Sequence, residues 1–87
     1  MSNVATERRD ITLRRAQEDG AIRTWADDFG VWHAAVLKTY THPVRVARGI
    51  LRLELQDRAP RDTYIDPPMV KHTPDDDTET HYTYKEQ

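Results

Sequence analysis

The chain contains no cysteine, only three glycines and no long apolar run among its 87 residues. Without cysteine it can form no disulfide framework, no zinc site built on thiolates and no thiol nucleophile. The glycines are scattered, so a glycine-rich phosphate loop is also excluded. No segment approaches the roughly eighteen consecutive apolar residues that a membrane helix requires. We therefore expect no membrane partner and a fold stabilised by packing alone.

An excess of charge of one sign is also lacking. Thirteen Lys and Arg residues face fifteen Asp and Glu residues, which gives a formal net charge of -2. A chain so close to neutrality lacks the overall positive field of a general nucleic-acid binder. The charge is uneven, because residues up to Arg58 include ten basic and eight acidic side chains, whereas those from Ala59 onward include three and seven.

The N-terminal part of the chain reads as a flexible arm followed by a hairpin. Residues 1–9 are polar and without periodicity, which is typical of a loose arm, so we place a single small domain at residues 10–87. Ile11 and Leu13 alternate with polar residues, and residues 18–20 (Glu-Asp-Gly) have the composition of a turn. With residues 21–25 as the returning strand, this pattern predicts a β-hairpin.

Residues 31–40 form the next apolar segment, after a second turn-like stretch that ends at Gly30. Two alanines allow a helix here. The β-branched and aromatic residues favour a third strand.

Residues 43–58 are predicted to form an amphipathic helix. Thr41 can cap its free amides, and Pro43 is tolerated in the first turn. At helical spacing, one broad arc is apolar, and Arg45, Arg48 and Arg52 form a stripe outside it. The alternative is a pair of strands, because the leucines at 51, 53 and 55 also alternate with polar residues.

Residues 59–87 are predicted either to close the fold with a hairpin or to form a disordered acidic tail. Runs at 69–73 and 79–85 flank a turn-forming Pro74, and Tyr82 and Tyr84 share one face of the second run. The aspartates at 75–77 favour the tail. The resulting fold class is α+β, a small antiparallel sheet with one amphipathic helix packed across it, with an all-β fold as the alternative.

Several short patterns resemble small uncharacterised proteins of actinobacterial phages. They are Trp32-x-Ala34, Ala47-x-x-Ile50, Glu54-Leu55, Arg58 and the closing Tyr84-Lys85-Glu86. The resemblance implies an α+β fold and a phage-like origin. It implies no catalytic residue. Because the sequence shows no secretory signal, we expect a cytoplasmic protein, located in the host cell cytoplasm or, if structural, in the virion.

Histidines and aspartates near the C-terminus are the candidate ligands for a metal site. His72 and His81 flank the aspartates at 75–77, so paired strands could bring two imidazoles and a carboxylate together. The spacing matches no known ligand motif and lacks the alternation of a calcium loop. We expect no metal ion and no cofactor.

The sequence gives equally little support for a catalytic site. His33 or His42 with Asp27 or Asp28 could act as a general base, yet no nucleophile motif accompanies them. We expect a histidine in an apolar strand such as His33 to be a hydrogen-bonded packing residue, and the protein not to be an enzyme.

The candidate binding residues are Arg45, Arg48, Arg52, Trp25 and Trp32. The arginine stripe could contact phosphates, or it could be a solvated face. The tryptophans and Phe29 are expected in the core, and a tryptophan that is exposed instead would anchor a protein interface. We predict a non-catalytic protein-binding or assembly protein that acts on a host factor or on copies of itself. A small DNA- or RNA-binding regulator that uses the arginine stripe is the less favoured alternative.

Overall fold

A computed structural model of the chain describes residues 4–74 and 76–85. Two helices and four strands follow one another in the order α1 (Val4–Glu18), β1 (Ile22–Ala26), β2 (Trp32–Leu37), α2 (Pro43–Arg58), β3 (Met69–Thr73) and β4 (Glu79–Lys85).

Helix α1 replaces the predicted N-terminal arm and first strand. The helix begins at Val4, so the expectation that residues 4–9 precede the first ordered element is wrong, and residues 1–3 lie outside the described residues. Leu13 turns into the core while Ile11 remains 59% exposed, so the two residues do not share a strand face. The hairpin predicted for residues 11–25 is therefore also wrong.

Gly20 ends α1 rather than turning a hairpin. Its φ of +83° is in the left-handed region, which glycine adopts without a steric penalty. The Ala21 amide donates to the Ala16 carbonyl at 2.9 Å, and the Gly20 amide donates to the Gln17 carbonyl at 3.2 Å. This is the Schellman arrangement that commonly closes a helix, and it sends the chain directly into β1.

The first hairpin of the structure is formed by β1 and β2. The strands are antiparallel, and Thr24 lies opposite Ala34. Their turn ends at Gly30, whose φ is +79°. The strand interpretation of residues 31–40 is correct over Trp32–Leu37, and the helical alternative is wrong.

Helix α2 has the predicted bounds, with Pro43 in its first turn. The chain enters the helix at His42, and no side chain caps it, so the predicted cap by Thr41 is absent. The apolar arc packs on the sheet through the buried residues Ala47, Ile50 and Leu51. A strand pair in this region, and with it the all-β fold, is wrong.

The last two strands form an antiparallel hairpin in which Val70 lies opposite Tyr84. The sheet order is β1-β2-β4-β3, so β4 is a central strand that pairs with both β2 and β3. The segment that the sequence left open between a closing hairpin and an acidic tail thus supplies an interior strand of the sheet. Residues 75, 86 and 87 lie outside the described residues.

Both helices contact the same face of the sheet, where Ile22, Val36 and Tyr82 join the buried residues of α2. The predicted small α+β fold with an antiparallel sheet is confirmed. The prediction of one helix is wrong, because α1 packs beside α2.

Candidate functional site

Four arginines from two helices line one surface groove. Arg45, Arg48 and Arg52 lie on α2 at the helical spacing that the sequence predicted, and Arg9 joins them from α1. The groove has a volume of about 360 Å³. We call it the arginine groove.

Three of these four arginines form no ion pair within the described residues. Arg52 donates to Asp10 Oδ1 at 3.2 Å. Arg9, Arg45 and Arg48 make no ion pair or side-chain hydrogen bond within the described residues. Pro67 of the acidic C-terminal part also lines the groove, but no acidic residue of that part pairs with Arg9, Arg45 or Arg48 within the described residues. Three guanidinium groups therefore remain available to an anion.

Gly49 also lines the arginine groove, at a point where the Leu13 side chain of α1 packs against α2. A Cβ atom at this position would lie 2.9 Å from Leu13 Cδ1 of α1. Such a contact is closer than carbon atoms tolerate without a shift. The absence of a Cβ at Gly49 thus leaves room for the end of the Leu13 side chain.

An apolar cavity adjoins the arginine groove and shares Arg9 and Arg45 with it. It has a volume of about 440 Å³ and lies between α1, the start of α2 and β1. Its apolar lining includes Leu13, Ala16, Ile22 and Val46, and Thr12, Tyr40 and His42 also line it. We call it the helix cavity.

A buried carboxylate holds the two helices together. Glu54 of α2 accepts hydrogen bonds from Arg14 at 2.5 Å, Gln17 at 2.9 Å and Arg58 at 2.6 Å. Burial raises the pKa of this carboxyl group, but the bonds from Gln17 and Arg14 outweigh it, so the pKa lies below its ordinary value. Arg14 also pairs with Asp57. The position of α1, and hence of Arg9, depends on this network.

The two predicted tryptophans lie on opposite faces of the sheet, away from the arginine groove. Trp32 is half-buried against the core, with the Arg58 guanidinium 4.5 Å from its ring centroid. Trp25 is 37% exposed on the face that the helices leave open, so its predicted place in the core is wrong. Phe29 is 92% exposed in the β1–β2 turn, so its predicted place in the core is wrong. The structure does not bring the arginine stripe and the tryptophans together.

His33 lies at the centre of a polar network on the open face. Its Nε2 is 2.9 Å from Asp27 Oδ2, and its Nδ1 is 3.1 Å from Thr83 Oγ1. A carboxylate can only accept, so Nε2 donates to Asp27, and in a neutral ring Nδ1 then accepts from the hydroxyl. Asp27 also accepts from the Phe29 and Val31 amides. The bond from His33, followed by that from Val31, lowers the pKa of Asp27.

This order of hydroxyl, imidazole and carboxylate also occurs in hydrolases. Here Thr83 lies on β4 opposite His33, and it lines neither the arginine groove nor the helix cavity. Trp25 stacks on the His33 ring with centroids 5.5 Å apart. We infer that the network stabilises the β1–β2 turn against the sheet.

The two histidines considered for a metal site do not converge. Thr73 is the residue opposite His81, so His72 projects to the other face of the sheet. Asp76, Glu79 and His81 do bring ligand-type atoms within 4.8 Å of one another. Glu79 is already paired with Arg23, which lowers its pKa, and amide hydrogen bonds from Thr78 and Glu79 lower that of Asp76. These contacts account for the two carboxylates, while His81 Nε2 lies 3.6 Å from Asp76 Oδ2 and is buried without a hydrogen-bond partner among the described residues.

No protein-family model, curated protein or solved structure matches this chain. The resemblance to phage proteins therefore stays a prediction. No helix in the described part of the chain is long and apolar enough to cross a membrane.

Sequence reasoning found three of the four groove arginines but missed Arg9 and the helix cavity. The sequence predicts a loose arm at Arg9, because the residues of α1 show little apolar periodicity. A pattern of polar residues could have indicated the helix. Asp10, Arg14 and Gln17 follow one another at spacings of four and three, and all three contact α2.

Proposed function

We propose that this protein is a non-catalytic protein-binding module that holds an acidic segment of its partner in the arginine groove. The observation that carries the proposal is the convergence of Arg9, Arg45, Arg48 and Arg52, three of them without an acidic partner among the described residues. The partner is either a host factor or another copy of this chain.

Arginine is well suited to this role, because its planar guanidinium group can bind a carboxylate through two parallel hydrogen bonds. Arginine stems also cover apolar surface, and arginine is enriched at protein interfaces. The adjoining helix cavity supplies apolar surface at the edge of the charged groove. A protein partner can use both kinds of surface, whereas a phosphate backbone uses only the charge.

Binding of DNA or RNA is the second candidate, and Arg9 strengthens it by adding a fourth cation to the predicted stripe. Phosphate contacts require such outward guanidinium groups. The net charge of -2 opposes nucleic acid at long range. We therefore favour the protein partner.

The test compares a labelled ten-residue peptide of alternating Asp and Ser with a labelled random DNA duplex, by fluorescence anisotropy at low and physiological salt. We expect peptide binding that Arg45→Ala/Arg48→Ala weakens roughly tenfold, because each exposed pair contributes up to about 1 kcal/mol. Arg52 is left unchanged, since it also pairs with Asp10 of α1.

The matched control is Arg15→Ala/Arg61→Ala, which removes the same charge from exposed positions outside the arginine groove. This variant should keep peptide affinity. DNA binding that falls steeply with salt and is lost in Arg45→Ala/Arg48→Ala, without peptide binding, would establish the nucleic-acid alternative. Light scattering of the unmodified protein and of both variants tests self-association, which only Arg45→Ala/Arg48→Ala should weaken if the partner is another copy.

A further inference from the structure

The helix cavity and the arginine groove adjoin each other, because two residues line both. Arg9 and Arg45 line both, whereas Ala16 and Val46 line the cavity alone and Arg48 lines the groove alone. A ligand that places a carboxylate between Arg9 and Arg45 therefore has apolar surface on one side and further positive charge on the other.

We infer that the helix cavity receives one large apolar side chain of the partner, adjacent to the acidic residues held in the arginine groove. The recognised element is then a short linear motif, an acidic run with a leucine-like or phenylalanine-like residue at one end. This inference rests on the proposed function and specifies the chemistry of the partner.

Size and composition fit such an anchor. A cavity of about 440 Å³ exceeds the volume of a single large side chain and leaves room for the adjoining backbone. Its apolar lining comes from Leu13, Ala16, Ile22 and Val46, so an apolar side chain gains free energy by leaving water. Charge complementarity at Arg9 and Arg45 requires the flanking residues to be acidic. Interfaces commonly combine such an anchor with a polar rim.

The experiment uses four acidic peptides of equal charge that end in Gly, Ala, Leu or Phe, with the full-length protein. We expect the Leu or Phe peptide to bind about tenfold or more tighter than the Gly peptide. Ala16→Phe fills the cavity and should abolish this difference while preserving binding of the Gly peptide. Arg48→Ala should weaken all four peptides by a similar factor.

Thr12→Phe is a second cavity variant, because Thr12 lines the cavity from an exposed position and its replacement does not alter the core. It keeps the test decisive if Ala16→Phe unfolds the protein. Equal affinity for the four peptides, with loss in Arg48→Ala, would overturn the anchor and leave the proposed function standing. If both cavity variants still bound the Leu or Phe peptide more tightly than the Gly peptide, the anchor would also be overturned. Absence of binding to any peptide would overturn both proposals.

Discussion

Arg14 on α1 donates a hydrogen bond of 2.5 Å to Glu54 on α2, forty residues along the chain. Glu54 is 6% exposed and is a buried charged residue in an otherwise apolar core. A buried carboxylate is tolerated only where partners replace its water, and here Gln17 and Arg58 complete the set. Because Arg9 lies on the same helix as Arg14, the contact that fixes α1 also fixes the proposed binding groove.

We predict that Glu54→Gln lowers the free energy of unfolding by about 2 kcal/mol at neutral pH, since a hydrogen bond to a charged group contributes about 1.5–3 kcal/mol. Urea denaturation measures the change. Asp57→Asn is the matched control, because Asp57 pairs with the same Arg14 but is exposed. It should cost less than about 1 kcal/mol. Equal stability of Glu54→Gln and the unmodified protein would contradict a structural role for the carboxylate.

The cost of Glu54→Gln should shrink in acid. The pKa of Glu54 is lower in the folded state than in the unfolded chain, so its stabilisation is present above the ordinary glutamate pKa and is lost as the pH falls through the folded value. The difference between the two proteins should therefore diminish below about pH 4. The lowered pKa values of Asp27, Asp76 and Glu79 affect both proteins alike and cancel. Urea denaturation of both proteins at pH 7, 5 and 3 measures the difference in their free energies of unfolding. A difference that did not change with pH would refute the stabilising role of the ionised Glu54 carboxylate.

The fold was predictable wherever apolar spacing carried the information. Helix α2 matches its prediction because its apolar arc meets the sheet, with Ile50 and Leu51 fully buried. Helix α1 was not predictable in this way, because three of the residues that join it to α2, Asp10, Arg14 and Gln17, are polar and because Ile11 faces solvent. Alternation of Ile11 and Leu13 therefore indicated a strand that does not exist.

The candidate site was predictable in part for the same reason. Helical spacing placed Arg45, Arg48 and Arg52 on one face correctly, since they share a single helix. Arg9 and the helix cavity arise from packing between α1 and α2. Such packing depends on contacts such as Gly49 with Leu13, which no local pattern reveals.

Leu51→Ala should lower the free energy of unfolding by about 2–4 kcal/mol, because Leu51 is fully buried where α2 meets the sheet. Val44→Ala is a control on the same helix, since Val44 is 40% exposed. It should change stability by less than about 1 kcal/mol. Similar losses for the two variants would mean that α2 does not use the observed face for packing.

Asp27→Ala should loosen the β1–β2 turn without unfolding the sheet. Asp27 Oδ1 accepts from the Phe29 amide at 2.9 Å and from the Val31 amide at 3.0 Å. Hydrogen exchange of these two amides should accelerate, because each loses its acceptor. Asp28→Ala changes the neighbouring exposed carboxylate and should leave both exchange rates unaltered. Unchanged exchange in Asp27→Ala would show that the turn does not need the carboxylate.

Removal of residues 74–87 should prevent folding, because it deletes β4 from between β2 and β3. Strand β3 would lose the partner with which it pairs, and the core would lose Tyr82, which is 5% exposed. A two-stranded sheet with a reduced core is marginal in water. Circular dichroism and amide chemical shifts of the shortened chain should be those of an unfolded protein. Lys85→Ala, at the exposed end of the same strand, should melt like the unmodified protein. A shortened chain that melted cooperatively at the original temperature would mean that the C-terminal segment is a dispensable acidic tail.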